Sequence, residues 1–334
     1  MKGGSISFSL LCLFICTTLA TLVTSRSISQ RVPLRRTEGD TDPLLFVTTS
    51  SGQVRGKAPG SVYTYKGIPY GNPTSGSRRF RAPTMASYVL KQYHRCHRLW
   101  SISDLFNAQN FVERQNDVIV VSFNYRTNIF GFPLSPQIWA MDASIGYNRG
   151  LEDRDLAVEW VHKNIARFGG DPDRITLFGQ SAGGASVDTW AFANAKTANP
   201  LVKGLIVQSG AVQGLDLALG NQNPEWTRHN SLWNKLANHP TVECGLKSGL
   251  KERRSAVGLH AKVDFSVLLD AISLSGLDFG PAVDNKRYFD DWEGRSAVCW
   301  GGKNGVKIVK TKQGQVSEAK ESRTSGLPDL SPVD

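Results

Sequence analysis

The chain has 334 residues, of which 40% are hydrophobic and 20% charged, the balance of a globular protein with a sizeable core. Those figures exclude a collagen-like repeat, a disulfide-dense miniprotein and a wholly disordered chain. Thirty-nine Lys and Arg against 29 Asp and Glu give a formal charge of +10, so a nucleic-acid partner has to be weighed from where the charge lies.

In chain order, Lys2 is followed by an apolar run from Leu10 to Val23 and the small residues Thr24 and Ser25. A basic start, a short apolar run and a small-residue exit read as a secretory leader over residues 1–25, with cleavage after Ser25 or Ala20. The run is short for a membrane span and is broken by Thr17 and Thr18, so no stable anchor is expected. Residues 26–42 are mostly polar and basic and are expected to be flexible. Phe46 to Val54 reads as a hairpin turning at Ser51–Gly52. Val62 to Gly67 is β-rich, and Gly71 to Arg79 is a Gly/Pro/Ser loop.

From Pro43 to Ser103 there is no Asp or Glu, while Arg55, Lys57, Lys66, Arg78, Arg79, Arg81, Lys91, Arg95 and Arg98 fall in the window. Without a binding module or interleaved stacking aromatics this is expected to be a solvated basic face, not a nucleic-acid surface. Asp117 opens Val118 to Phe123, a continuous apolar run suited to a parallel strand buried on both faces. Leu151 to Phe168 predicts a helix with a stripe of Leu156, Val158, Trp160, Val161 and Ile165, stopped by Gly169–Gly170. Asp171–Pro172–Asp173 predicts a turn. Ile175 to Phe178 and Leu205 to Val207 predict two further buried strands, with an Ala-rich helix over Ala182 to Ala195 between them. Strand, helix, strand, helix, strand is the pattern of a parallel α/β sheet. From Gly301 onward large apolar residues are few, and residues 299–334 are expected to form a disordered tail. Cys12 and Cys16 lie in the leader, which leaves Cys96, Cys244 and Cys299, an odd number at no metal-ligand spacing. No metal or cofactor is expected.

The segment that carries chemistry is Gly179–Gln180–Ser181–Ala182–Gly183, a G-x-S-x-G between a predicted strand and a predicted helix. In that context it reads as a nucleophile elbow. The turn is so tight that its central residue takes strained backbone angles, and the positions two before and two after must be Gly. The serine oxygen is lifted clear of the sheet at a helix N-terminus, where the dipole favours developing negative charge. Ser181 is the candidate nucleophile, and the Ala182 N–H the candidate oxyanion donor.

The chain resembles the type-B carboxylesterases, the family that includes cholinesterases and neuroligins. The matching stretches are Gly52 to Gly56, Tyr65 to Tyr70, Arg79 to Pro83, Val120 to Arg126, Gly131–Phe132, Asp153 to Trp160, Asn164–Ile165, Phe168 to Pro172, Ile175 to Gly184 and Gln208 to Gly210. The resemblance implies an α/β-hydrolase fold over residues 43–298, with a mostly parallel sheet flanked by helices. It also implies hydrolysis of a small carboxylic ester through an acyl-enzyme on Ser181. Gln180 stands where cholinesterases carry Glu, which argues against a quaternary-ammonium substrate.

Three parts of the family pattern are missing. No His-Gly-Gly occurs, so the glycine loop that completes the family's oxyanion hole is absent, and a central strand is absent with it between Pro83 and Asn107. The resemblance stops after Ala297, before the acidic triad member and the late histidine. The acid and the base are therefore unassigned. A substitute triad would have to draw on His229, His239 or His260 with Asp188, Asp216, Glu225, Glu243 or Glu252, and nothing marks any of these pairs. Trp139, Trp190, Phe192 and Trp226 are candidates to line an apolar gorge, or else core residues. The expectation is a secreted serine ester hydrolase, weak or inactive as written. The alternative is a non-catalytic, esterase-like binding protein of the neuroligin kind, although such proteins mostly lose the serine and keep the scaffold.

Overall fold

The computed structural model describes residues 20–26, 42–58, 61–86, 108–115, 117–133, 147–210, 232–236, 238–240, 263–289, 291, 295, 306–312 and 315–318. Its centre is a six-stranded sheet. The strands are β1 (Ala20–Arg26), β4 (Val118–Phe123), β5 (Gly170–Gln180), β6 (Gly204–Gln208), β7 (Lys307–Lys312) and β8 (Gln315–Glu318), in the order β4-β1-β5-β6-β7-β8. β6 is parallel to β5 and β7, while β1 is antiparallel to β4 and β5 on either side, so β4 to β7 all run one way. A hairpin of β2 (Phe46–Thr49) and β3 (Gly52–Arg55) stands apart from the sheet. The helices are α1 (Gln109–Gln115), α2 (Asn128–Gly131), α3 (Arg149–Asn164), α4 (Ala182–Ala193) and α5 (Phe265–Ser275).

The main core forms where α3 and α4 pack on the sheet: Val158, Trp160, Val161 and Ile165 meet Ile175, Leu177, Val187, Trp190, Leu205 and Val207. A second cluster gathers Phe80, Ile129, Phe132 and Leu151 around Trp233, Leu236, Leu268 and Phe279. The predicted stripe of α3 is buried, apart from the half-buried Leu156. The helix is flanked on more than one side, however, and Arg149, Asp153 and Arg154 are buried as well. Each finds a partner, as buried charges must. Asp153 takes a bidentate pair from Arg126, at 2.7 Å from both Nε and Nη2, and also accepts the Arg126 N–H. Arg149 donates to the Phe80 carbonyl and pairs with Glu152. Arg154 pairs with Asp155 and donates to the Ser186 carbonyl and the Thr189 hydroxyl of α4. Arg287 closes the group onto Asp155 and Glu152. The helix ends through a 3-10 turn, Ile165–Phe168, capped by Gly169 at φ 84, where the sequence placed its stop.

The hairpin forms one residue earlier than its composition suggests, turning at Ser50–Ser51 with Gly52 at φ 110. It is docked on α3: Asn164 accepts the Ser50 N–H, and Ser51 Oγ accepts Trp160 Nε1–H while donating to the Ala86 carbonyl.

The structure adds to or departs from the expectations at several places. Residues 20–26, which span the end of the expected leader and the first residue of the expected flexible segment, are paired into the sheet as a strand. β-branched Thr21, Val23 and Thr24 suit a strand as well as they suit a leader's exit. At the other end of the flexible reading, Asp42 caps a 3-10 turn by accepting the Leu44 N–H. The tail beginning at residue 299 contains β7 and β8. Overall composition hid a local Lys307-Ile-Val-Lys-Thr-Lys312 strand pattern that covers the edge of β6, with Val306 buried at its start. β4 is half-buried along most of its length, and among the described residues it lies at the edge of the sheet, paired antiparallel with β1. Val62 to Gly67 contributes one isolated bridge, Lys57 to Thr64, and no strand. Asp171 to Asp173 lie at the start of β5, yet the turn chemistry survives there, since Asp171 accepts the Asp173 N–H and holds Arg174 at 2.7 Å.

Several residues of the basic window have local work. Arg79 donates to the Val263 carbonyl, Arg78 to the Thr84 hydroxyl, and Arg55 lies over the Phe46 ring. Among the described residues no helix is long and apolar enough to cross a membrane, and no His/Cys/Asp/Glu group could hold a metal ion. Cys96, Cys244 and Cys299 lie outside the described residues.

Candidate active site

β5 delivers the chain to Gln180, and α4 begins at Ala182 with nothing between them but Ser181. The reversal is made in that one residue, at φ 53 and ψ −122. A serine there is outside the comfortable regions for an L-residue, at a cost of about 1–3 kcal/mol that the surroundings must offset.

The surroundings are three backbone approaches that only glycine permits. A β-carbon on Gly179 would lie closer than 3.0 Å to the backbone of Gly183, so the positions two before and two after the serine face each other across the turn. On Gly184 it would meet the Gln208 carbonyl at 2.9 Å and the Gly210 carbonyl at 3.0 Å. On Gly210 it would meet the Ser181 carbonyl oxygen itself, again closer than 3.0 Å. The end of β6 therefore forms one wall of the turn. It is bonded there too, because the Ser181 N–H donates to the Gln208 carbonyl at 2.9 Å. The Ser181 carbonyl in turn accepts the Ala185 N–H at 3.0 Å and so opens the helix.

Sequence reading singled out Gly179 and Gly183 but gave no role to Gly184 or Gly210. The signal was present in the Gly183–Gly184 pair and in Ser209–Gly210 directly after a strand. Ser209 is itself at φ 49, a second left-handed residue beside the first.

Ser181 and Ala182 are half-buried and Gln180 is exposed. The Ser181 side chain does not cap the helix. As the first helical residue, Ala182 has an N–H with no intrahelical acceptor, and the positive end of the α4 dipole sits there. An oxygen of developing negative charge beside Ser181 would meet both.

Of the residues weighed as partners, Asp188 is buried within α4 and His239 follows the helical turn at 232–236. His162 lies in the last turn of α3. Among the described residues neither histidine is hydrogen-bonded to Ser181. His229, His260, Asp216, Glu225, Glu243 and Glu252 lie outside the described residues, as do Trp139 and Trp226. Trp190 and Phe192, weighed as gorge residues, are core: both are buried against the sheet.

The architecture has solved counterparts. A p-nitrobenzyl (PNB) esterase structure superposes with a TM-score of 0.60 at 23% identity, covering 80% of this chain and 63% of that one, and this likeness establishes the α/β-hydrolase fold. In sequence, the chain is 48% identical over 114 residues to secreted lipase 5 of Gibberella zeae, covering 34% of this chain and 21% of the lipase. It is 37% identical over 186 residues to chlorogenic acid esterase of Aspergillus niger, covering 56% of this chain and 33% of the esterase. The chain thus spans a third or less of the length of these two relatives. The carboxylesterase family matches in two stretches, residues 44–98 and 97–290, which together take in every element from the β2–β3 hairpin to α5. On that match the chain belongs to the carboxylesterase family.

Proposed function

We propose that the protein is a secreted carboxylic ester hydrolase acting through Ser181, with low turnover. Ser181 Oγ adds to the ester carbonyl, and the oxyanion is held by the Ala182 N–H at the head of α4. The C–O bond to the alcohol then breaks, the alcohol leaves with a proton, and water later cleaves the acyl–Oγ bond. The observation that carries this reading is the strained Ser181 between β5 and α4, locked by Gly179, Gly184 and Gly210. Strain of this kind persists where a fold over-determines it, and here it presents a hydroxyl beside a helix N-terminus.

Low turnover follows from what accompanies the serine. The sequence holds no His-Gly-Gly segment, and neither His162 nor His239 hydrogen-bonds to Ser181 among the described residues. A triad serine without its base loses about six orders of magnitude in kcat. Each missing oxyanion donor costs a further factor of about 100 to 1,000. The names of the relatives, a lipase and a chlorogenic acid esterase, are consistent with a small carboxylic ester and do not choose the acyl group. Retention of the serine speaks against a purely binding role.

A fluorophosphonate probe tests the reading. The folded chain is expected to acquire the phosphonyl group on the peptide containing Ser181 over hours, and the Ser181→Ala variant none. Turnover of p-nitrophenyl acetate is expected to stay near the buffer rate. No adduct on Ser181 in the folded chain would refute the nucleophile. Rapid turnover that vanishes in Ser181→Ala would refute the weak-activity half.

A further inference from the structure

β4 and β5 run in the same direction with the width of one strand between them, and Ala20–Arg26 fills that space running opposite to both. Leu22 stands opposite Val121 on one side and Leu177 on the other, and Val23 opposite Val120 and Thr176. The register slips once, between Thr24 and Arg26 on the β5 side. This is an inner position of the sheet, not an edge. Were it vacant, β4 and β5 would each present a row of unpaired N–H and C=O groups, a strong template for another strand. β5 leads straight into Ser181, so the order of this strand and that of the elbow are linked.

Among the described residues no other strand lies between β4 and β5. β4 and β5 are joined through α2 and α3, and β6 already occupies the far side of β5. We propose that the space between β4 and β5 is a strand-acceptor site whose resident is the chain's own Ala20–Arg26. This segment is then a structural part of the folded protein, and a leader, where one is removed, ends no later than Ala20. The two exits legible in the sequence are thereby distinguished. Hydrolysis of the Ala20–Thr21 amide by a signal peptidase, with one water consumed, leaves Thr21 to Arg26 in the sheet. Hydrolysis after Ser25 removes all of the strand except Arg26.

The test uses the full chain, exported from a secretory host. The intact mass of the folded product is expected to place its N-terminus at Thr21 or earlier. Amides of residues 21–26 are expected to exchange with deuterium at least roughly 100-fold more slowly than in the free peptide, as in other sheet interiors. A folded product that begins at Arg26 or later overturns the proposal. So does free-peptide exchange in residues 21–26 while β5 amides stay protected. A Val23→Pro variant, which loses a ladder N–H, is expected to unfold at lower temperature than the parent or not to fold, and an unchanged midpoint counts against the strand. None of these readouts uses ester hydrolysis, so their failure is separable from failure of Ser181 as nucleophile.

Discussion

Gly210 faces the carbonyl oxygen of Ser181 so closely that a β-carbon at position 210 would overlap it. The contact is backbone against backbone, with no flexible side chain to swing aside. Gly210→Ala is therefore expected to push β6 away from the elbow and to break the bond from the Ser181 N–H to the Gln208 carbonyl. Overpacking of this kind costs about 1–3 kcal/mol or more. Urea unfolding should show that loss, and phosphonylation of Ser181 should fall with it. A variant with parental stability and labelling would mean that the wall formed by β6 does not hold the serine.

The elbow was legible because local geometry dictates local sequence. A one-residue reversal brings Gly179 against the backbone of Gly183, and their spacing about Ser181 is visible in five residues. What the sequence left unmarked is what depends on distant chain. Gly184 and Gly210 matter only because β6 ends beside the turn, which is a fact of tertiary packing. The buried Arg149, Asp153 and Arg154 broke the expectation of a one-sided helix for the same reason, since periodicity reports the apolar face and not how many neighbours a helix has. The strands at 20–26 and 307–312 went unmarked for another reason: both pair with partners far along the chain, and composition averaged over a terminus cannot register them.

Arg154 tests the buried charge group. Its side chain is fully buried, and its donors serve Asp155, the Ser186 carbonyl and the Thr189 hydroxyl together. Arg154→Met keeps much of the volume and removes every donor, so Asp155 keeps only Arg287 and the Ser186 carbonyl keeps the Thr189 hydroxyl. Removing the donor to these buried acceptors costs about 1–3 kcal/mol, and the denaturant midpoint should drop accordingly. A loss below about 1 kcal/mol, the size of a surface ion pair, would show that water reaches the site and repairs it.

Tyr147 gives an alkaline signature. Burial, and then the charge of Asp284, push its hydroxyl up to about 12 from 10.0. The folded state therefore holds this proton more tightly than the unfolded chain. The resulting stability is fully present below pH 10 and is lost as pH rises towards 12. Tyr147→Phe is expected to lessen the fall in stability between those limits. Equal alkaline slopes in parent and variant would place the Tyr147 hydroxyl in water.

Asn148 tests how the segment after α5 is held. It is fully buried, its Nδ2 donates to the Ala282 carbonyl at 2.8 Å, and its Oδ1 accepts the Ala282 N–H at 3.0 Å. Asn148→Asp keeps the shape and replaces the donor. At neutral pH the introduced carboxylate would face the Ala282 carbonyl with no proton to share, a buried mismatch worth about 1–3 kcal/mol or more. Burial and the opposed carbonyl raise the folded-state pKa of that carboxyl above its unfolded value of about 3.9. The penalty is thus small below pH 4, where the protonated acid donates to the carbonyl as the amide did, and grows as pH rises until the folded group ionises. Unfolding of parent and variant compared at pH 3.5 and pH 7 should show the gap widening at pH 7. A gap of the same size at both values would mean that Ala282 does not depend on the donor at position 148.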